Sequence, residues 1–359
     1  MKDLARLFLK LGLLGFGGPI AVMGMIEEEV CQKRSWLTTE RYAEIYAVLK
    51  VMPGPLATGM AVYLGGQQAG VIGGVVAGGL FILPAFLLVL ALSYFYVHTG
   101  IVHNASFLFS GMQAGALVVI LISTYSLGKT YLRDIRAWSI IVASGVTVFL
   151  LPRWEPLLIL GFGLIGILLQ LCTNRTRAMS LSPLLLPVVL VCLKAGAFVF
   201  GSGLAIVPLL EGDVVRHHHW LTHSEFMDGL AIGQITPGPV VITATFIGYK
   251  TGGFIGAVLA TIAIFAPSFF NALFLVPRIW KTLSKSPLTR HFTRWAIPSV
   301  IGCILGTTCK LGYLTLNSPL LIAIFVAGLV IAIVRDVPGW MLIPVAGAVA
   351  VVGHWMSAG

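Results

Sequence analysis

The sequence predicts an all-α polytopic membrane protein made of two homologous halves in an inverted-topology repeat, with about 10–12 transmembrane segments and broken helices among them. Three observations lead there. The chain is 58% hydrophobic and only 10% charged over its 359 residues, where a soluble domain carries about 25% charged residues. Apolar runs of about 20 residues, the length that crosses hydrocarbon, recur from end to end. The sequence also matches itself when shifted by 184 positions.

The candidate spans follow from the apolar runs. The first half offers 4–26, 42–64, 69–97 and 105–127, then two shorter runs at 137–151 and 156–171. The second half offers 184–210, 226–248, 253–277 and 292–312, then shorter runs at 318–334 and 339–356. The short pairs leave five or six crossings per half open. Under the shift, Leu9, Lys10, Gly12 and Gly17 fall on Leu193, Lys194, Gly196 and Gly201, and Trp36-Leu37-Thr38 falls on Trp220-Leu221-Thr222. Pro53-Gly54-Pro55 falls on Pro237-Gly238-Pro239, and Gly65, Pro84 and Phe86 match Gly248, Pro267 and Phe269. The repeats are taken as 1–178 and 183–359, joined by the polar stretch T-N-R-T-R-A-M-S-L-S at 173–182.

Charge assigns the sides. The net charge of +10 sits in short loops and at segment ends, with no basic stripe that would suit nucleic acid. With the N-terminus inside and five crossings per half, the inner side collects Lys2, Arg6, Arg133, Arg216 and the cluster from Arg278 to Arg294. Lys33, Arg34, Arg41 and Lys250 then lie outside, and six crossings would move the dense cluster outside as well, which favours five and inversion. Met1–Gly18 has basic residues before an apolar stretch, like a signal peptide, but its mid-chain match makes it part of the mature protein. The five cysteines show no C-x-x-C spacing, so neither a disulfide framework nor a zinc site is expected.

Each half carries two interruptions: a glycine-rich break, G-F-G-G-P at 15–19 and F-G-S-G-L at 200–204, and one Pro-Gly-Pro. Irregular backbone at membrane depth is tolerated where it is buried in protein or lines a cavity. A helix restarting after such a break presents unpaired N–H groups and a positive dipole end, and proline suits its first turn. Half-helix N-termini meeting at the midplane of an inverted repeat form an anion site. The candidate binding residues are Gly17, Gly18, Pro53, Gly54, Pro55, Gly201, Ser202, Pro237, Gly238 and Pro239 at the breaks. Lys10, Lys50, Lys194, Gln234, Thr58 and Thr243 supply charge or hydrogen bonds beside them. The plainer alternatives are an ordinary bend, a lysine that snorkels, and a threonine that bonds its own helix backbone.

Glu27 and Glu211 close the first span of each half and are candidates for proton coupling, or simple interface residues. Trp36 and Trp220 read as interfacial anchors, and Thr222-x-x-Glu225 as a capping box. The glycine ladders around Gly70 to Gly78 and Gly248 to Gly256 read as packing ridges. His217, His218, His219 and His223 do not converge by spacing on one metal ion, and no cofactor is expected.

Taken together, G-F-G-G-P at 15–19, Glu27–Glu29 followed by K-R-S-W-L, P-G-P-L-A-T at 53–58 and P-G-P-V-V-I-T-A-T-F-I-G-Y at 237–249 resemble the chromate transporter family. The proline-phenylalanine ends at 84–86 and 267–269 join them, so the resemblance covers both halves and implies the long-chain, two-domain form. It implies export of chromate across the bacterial inner membrane driven by the proton motive force, with sulfate as a related tetrahedral dianion. Lys50 stands where a neutral polar residue is common, Leu56 where asparagine is frequent, and the second glycine break departs from F-G-G-P. The expectation is a non-enzymatic secondary transporter with an anion and the lipid bilayer as partners; the symmetry allows a homodimer without requiring one. The competing readings are an uncoupled anion channel and, from another class, a membrane-embedded enzyme.

Overall fold

The computed structural model describes residues 1–15, 18–99, 106–131, 135–150, 186–199, 203, 206–278, 287–335, 337 and 339–358. In the first half, α1 (Lys2–Leu14) buries Leu4, Leu7, Phe8 and Leu11 at helical spacing. It is followed by α2 (Gly18–Glu27) with a π-helical extension over Glu28–Lys33. Next come α3 (Thr39–Val51), whose N-cap Thr38 accepts from the Arg41 amide, and α4 (Leu56–His98). α5 (Ser106–Tyr131) and α6 (Ile135–Leu150) complete the part described.

The second half repeats the plan with α7 (Leu186–Phe198), then α8 (Ile206–Glu211) with its π-helical extension over Gly212–His217. α9 (His223–Ile235) starts on the expected Thr222–Glu225 capping box, and α10 (Thr243–Phe270) follows a short turn over Val240–Ile242 and runs on through a π-helical stretch over Asn271–Leu275 to Arg278. α11 (Pro287–Thr315), α12 (Pro319–Arg335) and α13 (Gly339–Ala358) close the chain. The repeat extends to backbone torsions. Ser35 and His219 share φ of 50° and 52°, Gly54 and Gly238 118° and 103°, and Gly70 and Gly253 64° and 58°.

The runs at 4–26 and 42–64 do not run straight through the bilayer. Lys10 and Glu29 would lie about 28 Å apart along one straight helix, yet Lys10 Nζ is 2.9 Å from Glu29 Oε1. The mirror pair Lys194–Asp213 closes at 2.7 Å. Each glycine break is therefore the tip of a hairpin that returns to the side it came from. Pro-Gly-Pro does the same. Arg41 at the start of α3 reaches the Tyr63 hydroxyl late in the first arm of α4, and a Cβ on Gly59 would lie 3.3 Å from Leu49. In the second half Lys250 Nζ meets Glu225 Oε1 at 2.9 Å across the matching hairpin.

α4 is itself folded. Non-helical torsions at Ala69 and Gly70 divide it into arms 56–68 and 71–98, and a Cβ on Gly65 would meet Gly73 and Ala77 of the other arm. Only glycines allow this approach, which explains their ladder. Gly252 and Gly253 turn α10 in the same way, with Gly248 against Gly256. The second arm of α4, about 42 Å long, crosses hydrocarbon with length to spare.

Packing register gives the orientation. The second arms of α4 and α10 run antiparallel, with Gly74 near Leu273 and Gly78 near Phe269. α5 and α13 are antiparallel, with Gly111 at Ala350 and Gly115 at Ile343, whereas α6 and α11 are parallel, Gly145 lying against Gly302 and Gly306. The protein is an all-α polytopic membrane protein whose halves are inverted and interlocked. Because the first two hairpins open toward the N-terminal side, Lys33, Arg34 and Arg41 join Lys2, Arg6, Arg278 and Arg335 there, correcting the outside placement expected from full crossings. Arg216, Lys250 and Lys310 lie on the other face, so Arg216 also changes sides. By the positive-inside rule, this partition assigns the N-terminal face to the cytoplasm.

Candidate functional site

The four hairpin tips meet in the middle of the molecule, each one held by the opposite half. The Gly54 amide donates to the Val199 carbonyl at 2.6 Å, and the Gly238 amide donates to the Gly15 carbonyl at 2.9 Å. These bonds are images of one another under the repeat. Depth follows from the neighbours. Gly54 packs on Ser268 and Gly238 on Ala85; Ala85 lies halfway along the crossing arm of α4, and Ser268 about halfway along the arm formed by α10 and its continuation to Arg278, beside Pro84 and Pro267. Positive φ at both central glycines is the conformation that L side chains rarely adopt, so the tight tips need glycine.

The first tip has an extra clamp. Asn271 Nδ2 donates to the Pro53 carbonyl at 2.7 Å, and Ser268 Oγ to the Pro55 carbonyl at 3.3 Å. Sequence reasoning overlooked both residues. They lie more than two hundred positions away from their partners, and the only hint was the neighbouring Pro267-Phe269 match. The amides of Gly54 and Gly238 are thus spent on joining the tips. The donors left are those of the restarting helices, whose first-turn N–H groups, from Leu56 and from Val240, have no preceding helical carbonyl.

Two buried side chains beside the tips lack hydrogen-bond partners: Thr58 Oγ1, in the first turn of α4, and both amide atoms of Gln234, in the last turn of α9. An unsatisfied buried polar group costs about 1–3 kcal/mol, so each of the two is free to serve a ligand. Thr243 bonds the Val240 carbonyl at 2.9 Å and is a helix-satisfying threonine, the plainer alternative. Lys50, half-buried in the last turn of α3, has its ammonium 5.8 Å from the Tyr46 ring centre. Gly18 opens α2, with Pro19 in its first turn. Gly17, Gly201 and Ser202 lie outside the described residues.

Lys10 and Lys194 are placed differently from the expectation. Both are bound by carboxylates toward the mouths of the first hairpins, Lys10 by Glu29 and Lys194 by Asp213. At the cytoplasmic mouth, the hydrogen bond from Lys10, against burial and with help from Arg34, holds the Glu29 carboxyl down to about 2. Glu211 is buried and ion-paired with Arg216, its Oε1 accepting from Nε at 3.0 Å, while Glu27 is half-buried at the end of α2. His218 stacks on Trp220 at 4.3 Å, and among the described residues no three His, Cys, Asp or Glu side chains gather as a metal site. A groove of about 580 Å³ between the crossing arms of α4 and α10 is lined by Ile82, Phe86, Phe265 and Phe269 among other uncharged residues, which suits lipid rather than an anion.

Comparison with known proteins agrees with this architecture. The family model for chromate transporters matches residues 2–167 and again 186–352, one match in each half. A probable chromate transport protein of Synechococcus elongatus is 36% identical over 338 residues, covering 88% of this chain and 86% of that protein. Chromate transport proteins of Cupriavidus metallidurans and Pseudomonas aeruginosa are 35% and 32% identical, covering 87% and 94% of this chain and 82% and 91% of their own lengths. No solved structure matches. Helices long and apolar enough to cross a bilayer, together with these bacterial relatives, make the chain a multi-pass protein of the bacterial plasma membrane. Matched along both of its halves, the chain belongs to the chromate transporter family.

Proposed function

We propose that the protein is a secondary transporter that exports chromate, and related tetrahedral oxyanions such as sulfate, using the proton motive force. The relatives' names supply the substrate class. The observation that carries the mechanism is the reciprocal bonding of each Pro-Gly-Pro tip to the glycine-break hairpin of the opposite half, with the unpartnered Thr58 and Gln234 on the flanking helices. The dianion sits against the N-terminal turn of α4, where amides and the dipole favour negative charge. Thr58 and Gln234 donate to its oxygens, and Lys50 offsets its charge. Lys10 and Lys194, already matched by carboxylates, brace the hairpins rather than bind.

Alternating access follows from the bonding. Two backbone hydrogen bonds and the Asn271 and Ser268 contacts join the halves at the tips. Rocking one half against the other about that seam exposes the site to each face in turn. The test is uptake of labelled chromate and sulfate into proteoliposomes with and without an imposed proton gradient. Gradient-driven accumulation is expected. Downhill flux that ignores collapse of the gradient would replace the coupled transporter with a channel.

A further inference from the structure

Asp228 was not among the sequence candidates, and the transport mechanism above leaves it unused. It sits in α9 of the second half, 1% exposed, about 12 Å along the helix from the Pro-Gly-Pro tip. Its two oxygens accept from neutral donors, both of the first half: Tyr96 Oη to Oδ2 at 2.6 Å and Gln113 Nε2 to Oδ1 at 2.8 Å. Among the described residues no salt bridge reaches it. A buried carboxylate held only by neutral donors lacks the charge compensation that ionised groups need in low dielectric.

The charged and titratable groups around it are few. Glu225, one turn nearer the outer mouth, is tied to Lys250 at 2.9 Å, and the Lys250 ammonium lies 6.0 Å from the Tyr96 ring centre. His98 on α4 stands over Tyr249 of α10 at 6.3 Å, while α5 adds Gln113 and α13 packs Ile343 nearby. Gln113 also donates to Ser224 Oγ at 3.1 Å, so the cluster is continuous toward the outer mouth, where Glu225 is partly exposed. Under the 184-residue shift the position is Glu44, which is exposed and paired with Arg41 at 3.0 Å. The device exists in one half only.

We propose that Asp228 is the proton-binding carboxylate of the transport cycle, with Tyr96 and Gln113 sensing its charge across the seam between the halves. This rests on the proton-coupled reading above. An ionised carboxylate only accepts, whereas a protonated one must also donate. Taking up one proton from the outer face turns Oδ1 or Oδ2 into a hydroxyl and forces Tyr96 or Gln113 to become an acceptor. No other bond is made or broken. The contact between the halves therefore differs between the loaded and unloaded acid, which links proton occupancy to the rocking that carries the anion.

The test uses the full chain in proteoliposomes made acidic inside, a gradient that an antiporter converts into chromate uptake. Asp228→Asn imitates the protonated acid. It is expected to reduce the stimulation by the gradient to a ratio of about one while chromate counterflow continues, and Asp228→Glu should restore part of the stimulation. Stimulation of Asp228→Asn at the unmodified ratio would overturn the assignment. Should Asp228→Asn not fold, Tyr96→Phe, which removes one hydroxyl, must shift the pH at half-maximal driven uptake; an unmoved profile overturns the proposal. If the unmodified protein shows no gradient stimulation, the coupled reading fails by itself. Proton exchange on adding chromate to the detergent-solubilised protein then decides Asp228: present and lost in Asp228→Asn supports it, absent in both removes it.

Discussion

The two halves share one backbone plan and differ in the chemistry laid on it. Their tips and turns coincide to within about 15° of φ at the special positions. Yet the first tip is clamped by Ser268 and Asn271, while the second faces Ala85. Before the Pro-Gly-Pro tip the first half carries Lys50 and the second Gln234; on the same arm the first half carries exposed Glu44 and the second buried Asp228. Inverted repeats need equal shape to rock between equivalent end states, but nothing requires equal charge. A site on the pseudo-twofold axis can thus take a cation from one side and a neutral donor from the other.

The largest expected effect separates the two tips. Both Gly54→Ala and Gly238→Ala force a side chain into positive φ, but a Cβ on Gly54 also strikes Ser268, whose Cα would be 3.0 Å away, whereas Ala85 Cβ is 3.3 Å from the one on Gly238. Gly54→Ala should cost about 1–3 kcal/mol more in detergent unfolding than Gly238→Ala. Adding Ser268→Ala should return part of the difference. Equal costs would break the comparison.

A middle-sized effect tests the division of labour at the anion. Thr58→Val and Gln234→Leu should weaken chromate affinity by about 10- to 100-fold, the worth of a hydrogen bond to a charged group. Neither should lower the melting temperature without anion, because neither polar group has a protein partner to lose. Lys50→Gln, which copies the second half into the first, should cost affinity about tenfold. Unchanged binding in all three would move the site elsewhere.

The smallest effect concerns the mouths. Glu29 is held at about 2 by Lys10, with Arg34 assisting against burial. A carboxyl lowered in the folded state contributes stability that is complete above its ordinary value near 4.5 and disappears as pH falls toward 2. Melting temperature between those limits should therefore fall less steeply in Glu29→Gln than in the unmodified protein. Parallel profiles would show that the ion pair is too solvated to matter.

Much of this was legible in the residues. Hydropathy marked the apolar runs, the shift match found the repeat, and Pro-Gly-Pro marked the breaks, because each signal is local or is copied in chain order. The fold-back of 4–26 and 42–64 was not legible: an apolar stretch broken by proline has the same composition whether its arms continue or return. The misplaced Lys33, Arg34, Arg41 and Arg216 followed from that one ambiguity. Ser268, Asn271 and Asp228 were missed since ordinary polar residues in an apolar helix gain meaning only from what they face.

By itself the sequence determined a helical membrane protein, duplicated, with glycine and proline where backbone conformation demands them. Those properties depend on short-range sterics and on transfer from water to hydrocarbon, which residue types alone set. Only the tertiary structure decided that the arms return, that each tip is bonded to the opposite half, and which polar groups are left without partners. Such facts arise between residues far apart in the chain, where the close approach of two backbones determines which donors remain for an anion or a proton.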